Sequence, residues 1–242
     1  MNINWNSENL RLSIFLTPNS VPNTSTWWKE VVGSEPDTIS EQPKNGLKLY
    51  SGLFNESAQL TLTIRPERID WLLSISEEHS RSIELPIIDL RINTFNSIAS
   101  KLQSWLESSC PPCVRLAWGE VLLEKVNDKK EGYTKLQPYL PSITLDIENS
   151  SEFNYSINRP KKLHDTNYNR ISRWSVIRLR QLNLNAVNEQ PSPQINEALA
   201  CRLEVDISTN ANILEDLPSN KIPEFFLELT SLAKEISDKG DI

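Results

Sequence analysis

The amino-acid sequence predicts an α+β protein, with antiparallel β-sheets and amphipathic helices packed on one face. Three observations lead to this class. Several segments of the chain alternate apolar and polar residues with a period of two, which is typical of strands that bury one face. Two segments change to the 3.6-residue period of an amphipathic helix. Each of these helices follows a run of strands, and this order favours an antiparallel sheet with helices on one side.

The N-terminal half begins with a strand over residues 10–17, where apolar and polar residues alternate. Residues 25–32 predict a short helix that has Thr24 or Ser25 as its N-cap and ends at Gly33. A polar loop that contains prolines follows. Further strands are predicted from Leu47, at 60–64 and at 69–73.

Residues 94–108 predict an amphipathic helix of about four turns. Its apolar side chains recur at helical spacing, at Phe95, Ile98, Ala99, Leu102, Trp105 and Leu106. Pro111 and Pro112 end the helix, because proline cannot continue the helical hydrogen bonds.

The second half opens with an alternating strand at 114–118, and a charged loop at 127–135 follows it. Strands are predicted at 143–147 and 153–158. Residues 172–185 form a long β-favouring run whose apolar phase changes, which predicts a bulge or bend.

Residues 188–194 contain two prolines and predict a loop tip. The cleanest alternation of the chain follows at 201–208, and a final amphipathic helix begins near Pro223. Strands then a helix, twice over, predict two structurally related halves that can also pack as one continuous domain. The halves are residues 1–108 and residues 109–242.

The composition of this 242-residue chain excludes several classes of function. Its six glycines never form a G-x-G, so neither a Walker A loop nor a dinucleotide fingerprint is present. With only two histidines, His79 and His164, a multi-histidine metal centre is excluded. We therefore expect a protein that is not an enzyme and that uses no cofactor or metal.

Cys110-Pro111-Pro112-Cys113 is the sharpest short motif. As a tetrapeptide it resembles the active-site motif of some thioredoxin-fold oxidoreductases, where the first cysteine begins a helix that lowers its thiol pKa. Here the helix precedes the motif, so the opposite end of the helix dipole lies near the cysteines. We interpret the motif as a proline-stiffened turn. A redox pair, or half of a metal site completed by Cys201 or a histidine, is the alternative.

Two pairs of carboxylates lie two residues apart, Asp146 with Glu148 and Glu204 with Asp206. At this spacing both members share one face of a strand, as a metal-dependent nuclease or phosphatase requires. Carboxylates on the polar side of an amphipathic strand also serve solubility alone, and we favour that interpretation. A metal-dependent hydrolase is therefore the last of three functional alternatives.

His164 precedes Asp165, an order that suggests a base with an orienting carboxylate. Adjacent side chains point apart on most backbones, and the chain has no G-x-S-x-G turn for a serine nucleophile. We interpret His164 as a solvated loop histidine.

Residues 159–180 are the strongest compositional anomaly, with seven basic residues and one acid in a chain of net charge −7. The basic residues are Arg159, Lys161, Lys162, Arg170, Arg173, Arg178 and Arg180. Interleaved with Tyr168 and Trp174, they suit a surface that tracks phosphates and stacks bases. They suit equally a partner protein with an acidic patch. The third alternative is that Arg178 and Arg180 pair with the two carboxylate pairs described above.

Trp27 and Trp28 are adjacent on the first predicted helix. Adjacent helix positions are about 100° apart, so both rings cannot occupy the centre of one buried stripe. One ring is therefore a candidate for a groove or partner surface. The favoured alternative is that both rings pack at the edge of one core.

Together these observations predict a non-enzymatic macromolecule-binding protein. The first alternative is a protein-interaction or assembly subunit that binds a partner protein or a second copy of itself. The second is a nucleic-acid-binding accessory protein that uses residues 159–180. A polar N-terminus, three cysteines and no apolar run of about 18 residues predict a cytoplasmic protein without membrane association.

Overall fold

The computed structural model describes residues 3–18, 20, 24, 26–80, 85–185, 192–209 and 215–242. Within these residues eleven strands form one antiparallel sheet. The strands are β1 (Asn6–Leu16), β2 (Thr38–Gln42), β3 (Leu47–Leu53), β4 (Ala58–Arg65), β5 (Arg68–Ile75), β6 (Asp89–Leu90), β7 (Cys113–Val126), β8 (Asn154–Asn158), β9 (Lys161–Leu163), β10 (Thr166–Asn185) and β11 (Ser192–Thr209). The α-helices are α1 (Trp27–Val32), α2 (Glu77–Ser80), α3 (Arg91–Ser109), α4 (Lys129–Leu136) and α5 (Ile222–Lys239).

β1 and β7 lie side by side at the centre of the sheet, whose strand order is β2-β3-β4-β5-β1-β7-β11-β10-β8. β6 pairs with β1, and β9 pairs with β10. Residues 1–108 and residues 109–242 each contribute a central strand, a short helix, further strands and a long helix. The β1–β7 pair continues the sheet from the first segment into the second. The predicted α+β class is confirmed, while the division into two domains stays a prediction.

The core lies between the helices and one face of the sheet. Leu12 and Ile14 of β1 point into it and are fully buried, as the period-two pattern predicts. Trp118 of β7 meets Phe226 of α5 edge to face, with ring centroids 5.6 Å apart. None of the helices in the described ranges is long and apolar enough to cross a membrane.

Trp27 and Trp28 both lie in this core, only 3% and 4% exposed. The ring of Trp27 lies 5.3 Å from that of Trp105 in α3, and the ring of Trp28 lies 6.4 Å from that of Trp71 in β5. Because α1 is wedged against both α3 and the sheet, each of two adjacent positions meets a buried surface. Neither ring is available to a partner, which corrects their assignment as binding residues. Thr26 is the N-cap of α1, so the predicted cap Thr24 is wrong, and the other predicted cap, Ser25, lies outside the described residues.

Residues 143–147 do not form the predicted strand. Ile143 and Leu145 are partly buried against the core, which explains the alternation. The side chain of Gln137 takes the backbone hydrogen bonds that a strand would use. Its Nε2 donates to the carbonyl of Ile143 at 3.0 Å, and its Oε1 accepts from the amide of Leu145 at 2.7 Å.

β10 pairs with β11 in one unbroken register, so the predicted bulge is wrong. The apolar phase changes because Trp174 faces the helices, whereas Ile177 and Leu179 face the opposite side of the sheet. Those two pack against a second small cluster, formed by Leu85, Leu123, Ala198 and Ala200. Of the predicted loop tip, residues 188–191 lie outside the described residues, and β11 already begins at Ser192.

The sequence predicts loops where the structure has β2 and α4. All five residues of β2 are exposed, so no burial pattern marks this edge strand. α4 is rich in charge, but Asp128 caps its first turn by accepting a hydrogen bond from the amide of Glu131 at 2.8 Å. Gly132 and Tyr133 of α4 are buried.

Candidate interaction face

The structure divides the basic segment 159–180 between the core and the surface. Arg170 and Trp174 lie on the helix side of β10 and are buried. The guanidinium of Arg170 donates to the backbone oxygen of Ile242 at 3.1 Å and to the carboxylate of Glu235 at 3.3 Å. Burial lowers the pKa of Arg170, and the charge of Glu235 opposes that effect. These two predicted binding residues therefore belong to the interior.

The aromatic residues of this segment offer no surface for stacking bases. The indole N–H of Trp174 donates to the hydroxyl of Ser172 at 2.9 Å, and its ring lies 5.9 Å from that of Tyr139. Tyr168 is fully buried, and its hydroxyl donates to Glu228 of α5. The predicted combination of arginines with stacking aromatics is therefore wrong.

Most other cations of the segment pair with acids of the chain itself. The ion pairs are Arg159–Asp241 at 3.2 Å, Lys161–Glu235 at 2.7 Å, Arg173–Glu204 at 3.2 Å, Arg178–Glu197 at 3.4 Å and Arg180–Glu197 at 2.7 Å. Arg178 and Arg180 thus use a carboxylate that the prediction did not include, because the β10–β11 register places Glu197 directly opposite Arg180. Lys162 is exposed and has no ion pair with a described residue.

The face of the sheet turned away from the helices, here called the open face, carries the polar phase of the strands. Within the described strands it presents six arginines, namely Arg11, Arg65, Arg68, Arg115, Arg173 and Arg202. Its acids in the same strands include Asp70, Glu204 and Asp206, and Glu8, which pairs with Arg202 of this face. The cluster around Leu85 covers one end of the face. The open face is therefore richer in cations than in acids, although the whole chain carries −7.

Asp70 of β5 is a buried carboxylate that holds two arginines in place. Its Oδ1 accepts from the hydroxyl of Ser13 at 2.6 Å and from Nε and Nη2 of Arg68 at 2.8 and 2.6 Å. Its Oδ2 accepts from Nη1 of Arg65 at 3.2 Å. Two guanidinium groups on one carboxylate leave a net positive charge, and the hydrogen bonds restrict both side chains.

Arg115 lies on the open face near the start of the central strand β7, over the ring of Phe15. Its guanidinium carbon is 3.7 Å from the ring centroid, and that of Arg68 is 5.1 Å from the same centroid. Burial lowers the pKa of Arg115, the charge of Asp206 opposes this, and the nearby Arg68 adds to the lowering. The Phe15 ring is therefore already occupied by cations of the chain.

Two cavities border the open face, and both are rich in basic residues. The first basic hollow has a volume of about 800 Å³, and its lining includes Arg11, Arg65, Arg68, Glu67, Asp70 and Leu72. The second basic hollow has a volume of about 700 Å³ near β8 and β10, and its lining includes Lys129, Arg173, Arg178, Arg202, Glu152 and Glu204. Arg11 lies across Gly119 of β7, with guanidinium nitrogens 3.6 and 3.7 Å from where a Cβ of Gly119 would lie. Arg11 makes no hydrogen bond or ion pair with a described residue.

The catalytic candidates occupy other parts of the molecule. His164 lies in the turn between β9 and β10, and its Nδ1 is 3.1 Å from the carboxylate of Glu228, not bonded to Asp165. Because residues 143–147 form no strand, the prediction that Asp146 and Glu148 share a strand face is wrong. In the part of the chain that the structure describes, no three histidines, cysteines or acids lie close enough to hold a metal ion.

The three cysteines are free thiols. A hydrogen bond with Cys113 and burial raise the pKa of Cys110, and burial raises the pKa of Cys201 to about 12. A raised pKa disfavours the thiolate, which is the opposite of what a reactive redox cysteine requires. The Cys110–Cys113 segment joins α3 directly to β7.

The sequence interpretation missed the arginines of the first basic hollow. Arg11, Arg65 and Arg68 belong to three strands, and only the pairing of β4 with β5 and of β5 with β1 brings them together. The sequence contains one weak indication of this site, because each arginine lies at a polar position of an alternating strand and is therefore expected on the face away from the core.

Comparisons with known protein families, with curated proteins and with solved structures found no match to this chain.

Proposed function

We propose that this chain is a non-enzymatic macromolecule-binding protein, an interaction or assembly subunit that holds a partner protein against its open face. One observation carries the proposal. The sheet packs its helices on one face, while the other presents six arginines within a chain of net charge −7. A cationic patch on an acidic protein favours an acidic partner and disfavours contact elsewhere on the surface.

A protein partner fits this face better than a nucleic acid. Single-stranded nucleic acids are held by exposed aromatic rings together with basic residues. Tyr168 and Trp174 are buried, and the ring of Phe15 lies under Arg115. A surface that has arginines but no exposed aromatic rings is suited to carboxylates, because a carboxylate accepts two parallel hydrogen bonds from one guanidinium group.

We place this function in the cytoplasm. Cys110, Cys113 and Cys201 are all free thiols, and two of them are buried, which is the usual state of cysteines in a reducing compartment.

Site-specific photo-crosslinking in the cells that make the protein tests the proposal. A crosslinking amino acid replaces Leu72 or Thr63 on the open face, and the control position is the exposed Lys101 on α3. We expect adducts with another protein from the open-face positions and none from Lys101. An adduct with a second copy of the chain would identify the partner as the protein itself. Equal labelling from all three positions, or none from any, would refute the open face as the contact surface.

A further inference from the structure

We propose that the first basic hollow is a carboxylate-binding site that accepts aspartate or glutamate side chains from an acidic segment of the partner. This inference rests on the proposed function, since it assigns the chemistry of the ligand within the open face. It is specific to one cavity and to the three arginines that line it.

The hollow has free donors of the right kind. Arg11 makes no hydrogen bond or ion pair with a described residue, so its five N–H groups can turn to a ligand. Arg68 uses Nε and Nη2 on Asp70 and leaves Nη1 free of that contact. Arg65 uses only Nη1 on the same carboxylate. Arginines that line one cavity and keep unused N–H donors are a usual environment for an oxyanion.

Two carboxylates line the hollow: the side chain of Glu67 is exposed, whereas the buried carboxylate of Asp70 already has its acceptors committed. Asp70 accepts three hydrogen bonds at Oδ1 and one at Oδ2, and its side chain is only 10% exposed. It therefore acts on the arginines as a positioning residue and has little capacity to attract a cation. Because Arg65 and Arg68 are already held, a ligand orders fewer side chains when it binds, which reduces the entropy cost of binding.

The walls favour a peptide over a free ion. Leu47 and Leu72 line the same cavity as the three arginines, beside Thr63. A volume of about 800 Å³ exceeds what a single small anion fills. An extended segment that carries acidic and apolar side chains uses both kinds of surface.

Fluorescence anisotropy with a labelled octaglutamate peptide tests the inference on the full-length protein, at low and at physiological salt. Octaglutamine is the uncharged control peptide. Inorganic phosphate and a single-stranded DNA oligonucleotide of matched charge are the competing anions. Arg11→Ala is the main variant, because the side chain of Arg11 makes no hydrogen bond or ion pair with a described residue. Lys162→Ala is the charge-matched control, since Lys162 is exposed and does not line the hollow.

We expect octaglutamate to bind and octaglutamine not to bind. Loss of one charge-assisted contact weakens binding roughly tenfold in Arg11→Ala, whereas Lys162→Ala changes it less than about twofold. Both variants are expected to keep the melting temperature of the parent. No binding of octaglutamate, or equal weakening by the two variants, would overturn the carboxylate site. Tighter binding of the oligonucleotide through Arg11, or full displacement by phosphate, would reassign the site to phosphate.

The two proposals fail in different ways. Crosslinks at Leu72 without octaglutamate binding would support the open face as the interaction surface and refute the carboxylate site. Octaglutamate binding that depends on Arg11, with no open-face crosslinks in cells, would support an anion site and refute the proposal that this face holds a partner protein.

Discussion

Arg91 and Glu120 form a buried ion pair that joins the first turn of α3 to the middle of β7. Nε of Arg91 donates to Oε2 of Glu120 at 2.6 Å, and Nη2 donates to Oε1 at 2.8 Å. The indole of Trp118 donates to the same Oε1 at 2.7 Å. The side chain of Glu120 is fully buried and that of Arg91 is 10% exposed. Glu120→Gln keeps the size of this side chain and removes its charge.

The substitution is expected to lower the free energy of unfolding by about 3–5 kcal/mol, because it leaves the guanidinium of Arg91 buried without a counter-ion. The amide group of the new glutamine also places its own N–H donors against the N–H donors of the Arg91 guanidinium. Typical domains are stable by roughly 5–15 kcal/mol, so the loss is a large share of the total. Replacing both partners, Arg91→Met with Glu120→Leu, removes both charges. Most of the loss should then be recovered, except for about 1–3 kcal/mol from the orphaned indole of Trp118.

Urea unfolding followed by tryptophan fluorescence measures these differences. Glu197→Gln is the matched control, since Glu197 pairs with Arg178 and Arg180 on the surface and its side chain is 43% exposed. That control is expected to change the free energy of unfolding by less than about 1 kcal/mol. If Glu120→Gln costs no more than Glu197→Gln, or if the double variant is less stable than Glu120→Gln, the assignment of Glu120 as a required counter-ion is wrong.

Three further predictions concern backbone conformation, thiol chemistry and pH. Gly240→Ala should lower the melting temperature at least twice as much as Gly33→Ala. Both glycines have φ of +88°, but only at Gly240 would a Cβ collide with the backbone of Tyr139. Cys201 should resist alkylation at pH 8 until the protein unfolds, because burial raises its pKa to about 12; fast labelling of native protein, read by mass spectrometry, would contradict this. The pKa of Glu235 is lowered in the folded state: burial raises it, but ion pairs with β9 and β10 outweigh that effect. The stability contributed by its charge is present above about pH 4.5 and is lost as the pH falls through the lower folded value. Glu235→Gln should therefore flatten the acid limb of a melting-temperature profile, and an unchanged limb would refute the assignment.

The periodic segments of the sequence predict the fold well. Residues 94–108 lie within α3, and the alternation at 201–208 lies within β11. In the strand every second side chain enters the core, and in the helix every third or fourth does. Apolar residues therefore recur in the sequence with the period of the element. β2 and α4 lack this signal: β2 is an exposed edge strand, and α4 depends on its Asp128 cap. Period and burial therefore identify the long interior elements and miss the exposed strand β2 and the short, charged helix α4.

The candidate site was much harder to predict than the fold. The run of charge at 159–180 is real, but it divides between the buried Arg170 and surface pairs such as Arg180 with Glu197. A charged run along one strand alternates between two faces, so its members do not form a single surface. The prediction from residues 159–180 therefore overestimated how many of these cations a partner could reach.

By itself, the sequence determined the α+β class, most strands, both long helices and the absence of nucleotide-binding loops, because each follows from residues close together in the chain. Only the tertiary structure decided which charges meet. Arg11, Arg65 and Arg68 converge because β1, β4 and β5 align in register, and Trp27 and Trp28 are buried because α1 meets α3 and the sheet at once. Such contacts join residues far apart in the chain, and strand register, which local patterns leave open, determines them.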